Sequence, residues 1–583
     1  MFRQTLLILN IFLGLTLLSC SQTEKAPKFE APLFDNLGDN HLKITTSNIW
    51  SQKFFDQGLT LTYGLNHAEA MRSFKEAARL DKECAMCYWG MAYVLGPNIN
   101  SAMDSTQVEE ANTYIAQAKQ YADQVSPYEQ QLIQAIDKRY PKNKAQTLAA
   151  CYEEFAQAMK STYLNFKDNH DIATLCAEAL MDLHPWDYWN TENGEPKVWT
   201  TEILDILEST LASAPKHPGA NHYYIHAIEA SKNPERAIEA ANTLTDLVPG
   251  AGHLVHMPAH IYIRTGNYHE GSMAGELSVL ADSLYITNCK AQGIYPLAYY
   301  PHNYHFLAAT ATLEGRGQLA IASAFKVAQN ADAQLMYQPE WATLQHYYII
   351  PYYILVKFGQ WEKILQLPET DLAYPKAIRH YARGMAYLAT DRLEESINEL
   401  QALKLISTKE ELKQISIWEL NTVDHLAKIA SLILEAEIDN ELGNVELSIN
   451  KLKQAVAIED RLNYNEPPDW FFSVRHILGA VYLENKNFEL AEETYLEDLA
   501  IYPKNGWALK GLQLSLEGQK KVNDAKIVSN ELAKAWQYAD FKLPSSRILD
   551  KSTPVFEGLD IDILTARLTN VPEMPVCGTK KKS

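Results

Sequence analysis

The sequence predicts an all-α chain folded as one long solenoid of stacked helix hairpins. Three observations carry this. Apolar residues recur every three or four positions through most of the 583 residues, and sustained two-residue alternation is scarce. A set of small and apolar positions returns at a period of about 34 residues, the length of one helix–turn–helix unit. The 47% hydrophobic content is that of an ordinary folded protein, and no segment after the N-terminal apolar run is long and apolar enough to span a membrane. A single hairpin cannot bury its outward apolar face, so such units must stack. Residues 37–538 are expected to hold nine or ten helix pairs, wound as a right-handed superhelix with a concave inner wall. Residues 539–583, with Pro544, Pro554, Pro572 and Pro575, are expected to form an extended tail.

The chain begins with a processing signal. Arg3 precedes an apolar run from Leu6 to Leu18, followed by Ser19 and Cys20. A short basic head, a short apolar core and small residues at the cut describe a secretory signal over residues 1–19. Leu17-Leu18-Ser19-Cys20 resembles a bacterial lipobox. That resemblance implies a lipid on Cys20 and a tether over residues 20–36. Ser21, where an Asp would imply inner-membrane retention, implies an outer-membrane lipoprotein of the cell envelope, facing the periplasm or the surface. Plain secretion is the alternative.

Of the remaining cysteines, Cys84 and Cys87 form one C-x-x-C with no second pair nearby, so they are not a zinc ribbon. A local disulfide or two packed thiols are expected there, and Cys151, Cys176, Cys289 and Cys577 read as structural. The net charge of −20 argues against binding nucleic acid, which needs clustered Lys and Arg. The one basic run, Lys580 to Lys582, reads as a solvated end.

The repeat can be read residue by residue. Gly58, Ala70, Phe74 and Ala77 fall at the spacing of positions 8, 20, 24 and 27 of a tetratricopeptide (TPR) repeat. Leu478, Gly479, Tyr482, Ala491, Tyr495 and Pro503 match the same pattern. Further copies are marked by Ile225 with Ala237, Ala241 and Leu244, by Gly384 with Ser396, by Ala436 with Gly443, and by Tyr352 with Gly359.

The histidines stand in this register. Gly266 and Gly315 mark the turns between the two helices of their repeats. Counting back, His253, His256 and His260 occupy positions 2, 5 and 9, and His302 and His305 occupy positions 2 and 5. One repeat earlier His222, His226 and Glu229 occupy positions 5, 9 and 12, and before that Glu178 falls at position 9. Steps of three and four residues keep these side chains on one helix face. In TPR proteins that face lines the concave wall.

Seven histidines and a glutamate in one register suit a transition metal, because packed neutral imidazoles otherwise need many partners or extra protons. His222/His226 and His256/His260 are two H-x3-H units, a spacing familiar from metal sites. Imidazole with carboxylate suits Zn, Cu or Fe, and six imidazoles suffice for two ions. Glu229 is expected as a ligand or general base, with Glu178 and Tyr262 behind the ligands. An anion-binding or catalytic cluster without metal, and plain core histidines bonded to neighbouring tyrosines, are the competing readings.

Longer phrases, among them FFDQGLTLTYGLNHAEAMRSF, LMDLHPWDYW, HPGANHYYIHAIEAS, GAGHLVHMPAHIYIRTG and YNEPPDWFFSVRHILGAVYL, resemble a family of largely uncharacterised bacterial TPR lipoproteins over nearly the full length. The family often has Phe where Leu65 stands, and several histidines where this chain has only Asn40-His41. The resemblance implies the fold and no activity. The functional expectation is therefore a lipid-anchored envelope protein whose groove holds a His-rich metal or small-ligand site. The alternative is a scaffold that grips a peptide or protein partner without metal.

Overall fold

The computed structural model describes residues 28–191, 193–289, 294–549, 556, 560 and 561. It is all-α. Among the described residues the helices pair off into twelve consecutive hairpins, from Ile49–Tyr63 with His67–Leu80 to Gly506–Gly518 with Val522–Ala535. Some units are built on helices as short as Ala85–Tyr93 and Trp361–Gln366, too brief to show a clear period, which is why the expected number was lower. The one strand pair among the described residues is a two-residue hairpin, Ser416–Ile417 with Asn421–Thr422.

The stacking follows the small-and-large pattern of the sequence. Phe74 lies between Gly58 of its own hairpin and Gly90 of the next, and a Cβ at either glycine would sit 2.6 Å from its ring. Tyr495 lies in the same way between Gly479 and Gly511. At both places one aromatic ring ties a hairpin to its successor, which is TPR-type packing. Helix ends are set locally. The Asn48 side chain accepts from the Trp50 and Ser51 amides, and the Asn66 side chain from the Glu69 amide. Gly266 and Gly315 end their helices at φ 73° and 86°, a left-handed turn that only glycine makes without strain.

Both ends of the described chain dock onto the stack. Phe29 packs on Trp50 and Phe54, Phe34 N–H donates to Gln57, and Gly250 N–H donates to the Asn36 carbonyl at 2.8 Å. The stretch expected as a free tether is therefore seated from Phe29 onward, because its aromatic residues find apolar partners. Cys20 and the signal sequence lie outside the described residues. At the other end residues 539–549 form no helix, yet they are fixed. Asp540 accepts from the Gly317 and Gln318 amides, Phe541 packs among Phe358, Trp507 and Trp536, and Arg547 pairs with Glu437 and Glu484.

The late hairpins also return to the middle of the chain. Tyr268 donates to the Pro503 carbonyl at 2.8 Å, and Trp507 to the Thr312 carbonyl at 2.9 Å. The inner wall around the histidine hairpins is consequently covered by the chain itself. Cys84 and Cys87 are joined in a buried disulfide at the start of Ala85–Tyr93. No helix among the described residues is long and apolar enough to cross a membrane.

Candidate metal centre

Three successive hairpins deliver the histidines. The first comes on Pro218–Glu229, where Pro218 stands at the first helical position and the His217 ring nitrogen accepts from the Ala220 amide. The second was expected on one continuous helix. It is broken into Gly252–His256 and Pro258–Thr265, because Pro258 has no N–H to continue the ladder. His253, His256 and His260 still face the same interior. The third helix, Tyr300–Glu314, carries His302 and His305.

The rings gather into two trios. In each of the sets His222, His226, His253 and His256, His260, His302, the ligating nitrogens lie within 4.8 Å of one another. The two sets are alike in ring spacing, although the short Nε2–Nε2 contact joins His222 to His253 in the first and His256 to His260 in the second. Ring centroids in the first are 4.8, 4.9 and 6.2 Å apart, for His222–His226, His222–His253 and His226–His253. The matching distances in the second are 4.7, 4.9 and 5.8 Å, for His256–His260, His256–His302 and His260–His302. Each trio takes positions 5 and 9 of one repeat and position 2 of the next. The trios adjoin, with His226 and His260 at 5.7 Å.

Hydrogen bonds fix several tautomers. His222 Nδ1 lies 2.6 Å from the Tyr63 carbonyl oxygen, which only accepts, so Nδ1 carries the proton and the neutral ring's Nε2 is bare. His226 Nδ1 and His260 Nδ1 donate to the two oxygens of Glu229 at 2.6 and 2.5 Å, which bares their Nε2 atoms as well. His222 Nε2 then faces His253 Nε2 at 3.1 Å, and His260 Nε2 faces His256 Nε2 at 2.9 Å. His226 Nε2, His253 Nδ1 and His256 Nδ1 are buried without any protein partner. A buried nitrogen without a partner costs about 1–3 kcal/mol. Two nitrogens on one tetrahedral ion with bonds of 2.0–2.1 Å would stand about 3.3 Å apart, close to both short contacts.

The electrostatics agree with neutral rings at His222, His226, His253, His256 and His302. Burial, reinforced by the neighbouring imidazoles, holds His222, His253 and His256 well below the usual histidine range. Burial lowers His226 too, and it brings His302 down to about 3. Burial alone would push the Glu229 carboxyl up, but His260 and His226 beside it outweigh this, and Glu229 stays ionised. Tyr464, from far along the chain, donates to the same carboxylate at 3.0 Å.

The expected site residues therefore divide. His222, His226, His253, His256, His260 and His302 come together. Glu229 is in neither trio; both its oxygens are used to orient one histidine of each, as carboxylates behind metal-bound histidines do. His305 stacks on Phe471 and meets His346 instead, at 5.6 Å between centroids. Glu178 accepts from Tyr93 in a separate buried cluster with Arg139 and Asp182, and Tyr262 donates to Asn242 away from the trios. The open groove expected around these residues is absent, since all the trio members except the half-buried His302 are 2% exposed or less.

Several neighbours escaped the sequence reading. Trp186 lies edge-on to His226 at 5.3 Å, and Phe306 packs against His256 and His260. His346 could have been found: it lies as many residues before Gly359 as His302 does before Gly315.

No protein-family model and no curated protein matches the chain. Solved structures similar to it share 12% identity or less. The human IFIT1 dimer with m7Gppp-AAAA covers 82% of this chain and 94% of its own, with a TM-score of 0.34. The APC/C hetero-tetramer Cut9–Hcn1 covers 89% and 76%, with a TM-score of 0.27. The P58(IPK) TPR domain covers 89% and 98%, with a TM-score of 0.19. At these scores they carry no functional argument, and the TPR-type solenoid rests on the helix packing described above.

Proposed function

We propose that this chain is a lipid-anchored bacterial envelope protein whose TPR-type scaffold encloses a transition-metal centre, with Zn, Cu or Fe as the ion. One observation carries the reading. Hydrogen bonds leave His222, His226 and His260, as neutral rings, with bare Nε2 atoms, and these lie among other buried imidazoles. As pure packing the arrangement makes His253 and His256 donate Nε2–H to the facing rings and leaves the Nδ1 atoms of those two and Nε2 of His226 unsatisfied. A cation among the Nε2 atoms would give His226 its missing partner and bind the facing lone pairs in common. Three protein ligands per ion leave a position for water or a small reactant, as catalytic sites do and closed structural ones do not. The enclosure by Trp186, Phe306 and Tyr464 limits that reactant to a small solute.

A peptide or protein partner would have to use the outer faces of the hairpins, since the inner wall at the trios is occupied by the chain's own residues. Attachment to the membrane rests on Leu17 to Cys20, and the Cys84–Cys87 disulfide is in keeping with an oxidising compartment. Two measurements test the proposal. Protein purified without added metal or a metal-binding tag should contain near-stoichiometric metal, lost in a His222→Ala/His256→Ala double variant. Absence of metal in both forms overturns the centre. Mass spectrometry of the mature N-terminus should find lipid on Cys20, and an unmodified N-terminus elsewhere overturns the anchor.

A further inference from the structure

The two trios are copies of one site, generated by the repeat, and we propose that the chain takes up two copper(I) ions, one in each. This rests on the metal-centre reading and adds the number and the identity of the ions. The number follows from the register. Positions 5 and 9 of one hairpin and position 2 of the next supply His222, His226 and His253, and one hairpin further on the same positions supply His256, His260 and His302. The matching ring triangles show that the step from hairpin to hairpin carries one trio onto the other. A further step reaches His305 and His346 at positions 5 and 2, but position 9 is there Ala309, so the third copy lacks a ligand.

The identity follows from charge. All six ligands are imidazoles, neutral when they bind an ion, and among the described residues Glu229 is the one carboxylate bonded to them. Two divalent ions would bury four positive charges against one negative charge. Two copper(I) ions bury two, and the cost of a buried charge rises with its square. Three imidazoles suit copper as well as zinc, so the ligand set does not oppose the choice.

The test is an anaerobic titration of the metal-free full chain with copper(I), read against a chromogenic copper(I) chelator, with zinc(II) added in parallel. We expect two copper ions per chain, one in His222→Gln/His226→Gln and one in His256→Gln/His260→Gln, and no displacement by equimolar zinc. A single ion in the unaltered chain overturns the paired sites and leaves the metal centre standing. Two ions per chain with zinc displacing copper overturns the choice of copper. No binding of either metal overturns this inference, and the metal centre falls with it if iron(II) added in the same way is not bound either. The count in the unaltered chain decides the number even if a variant fails to fold, and variants are counted only when their helical circular dichroism is unchanged.

Discussion

Two regions of this molecule bury histidines deeply, and they treat them in opposite ways. In the C-terminal half His476 is enclosed between Lys357 and Asp498. Its Nδ1 accepts from the Lys357 ammonium at 2.8 Å, and its Nε2 proton goes to the Asp498 carboxylate at 3.0 Å, which Asn505 also supports. Both ring nitrogens are satisfied, and nothing further is required of the site. In the trios a single carboxylate serves two rings, and three ring nitrogens have no protein partner. His217, on the same helix as His222, behaves like His476: one nitrogen accepts from an amide and the other faces Asp171. Burial therefore does not separate a structural histidine from a ligand. The convergence of three rings does, since His67, His305 and His346 also have a buried nitrogen without a partner and belong to no such group.

Acid should sharpen this contrast most. His222, His253, His256 and His305 sit well below the ordinary histidine value, and His302 near 3. A folded-state pKa below the unfolded value of about 6.5 means that the unfolded chain binds more protons in that window. Stability is then complete above about 6.5 and falls as the pH falls, by up to about 1.4 kcal/mol per pH unit for each histidine. Metal-free protein should lose melting temperature steeply between pH 7 and pH 5, and bound metal should protect it. A flat profile without metal would contradict the depressed values of the buried trio rings.

Removing Asp498 tests the other region. Asp498→Ala leaves His476 and Lys357 buried without their carboxylate and should cost about 3–5 kcal/mol in urea unfolding, with metal content unchanged. Loss of metal in that variant would show that the regions are not independent. Glu229→Gln keeps the volume but removes the charge that orients His226 and His260. It should weaken metal binding about 10–100-fold by chelator competition, and an unchanged affinity would deny Glu229 that role. The smallest expected effect is at the incomplete third copy, where His305→Ala with His346→Ala should leave the number of bound ions unaltered.

Much of this was legible in the sequence. The period placed Gly58, Phe74, Gly479 and Tyr495, and each packs as a TPR position should. The repeat register put seven histidines on one helix stripe, and six of them, all but His305, form the trios. It could not reveal that Glu229 lies behind the ligands, because that depends on which oxygen meets which ring, and it missed His346 although the same count from Gly359 reaches it. The closing of the groove was hidden for another reason. Tyr464 reaches Glu229, and Phe471 reaches His305, from the connection between two distant hairpins, and no local pattern records such contacts.

The most direct measurement is a crystal structure of protein isolated without added metal, with anomalous data collected on both sides of the copper absorption edge. Two anomalous peaks are predicted, one bounded by His222, His226 and His253 and the other by His256, His260 and His302. Rings that instead hydrogen-bond to each other and to ordered water, with no anomalous density among them, would contradict the account.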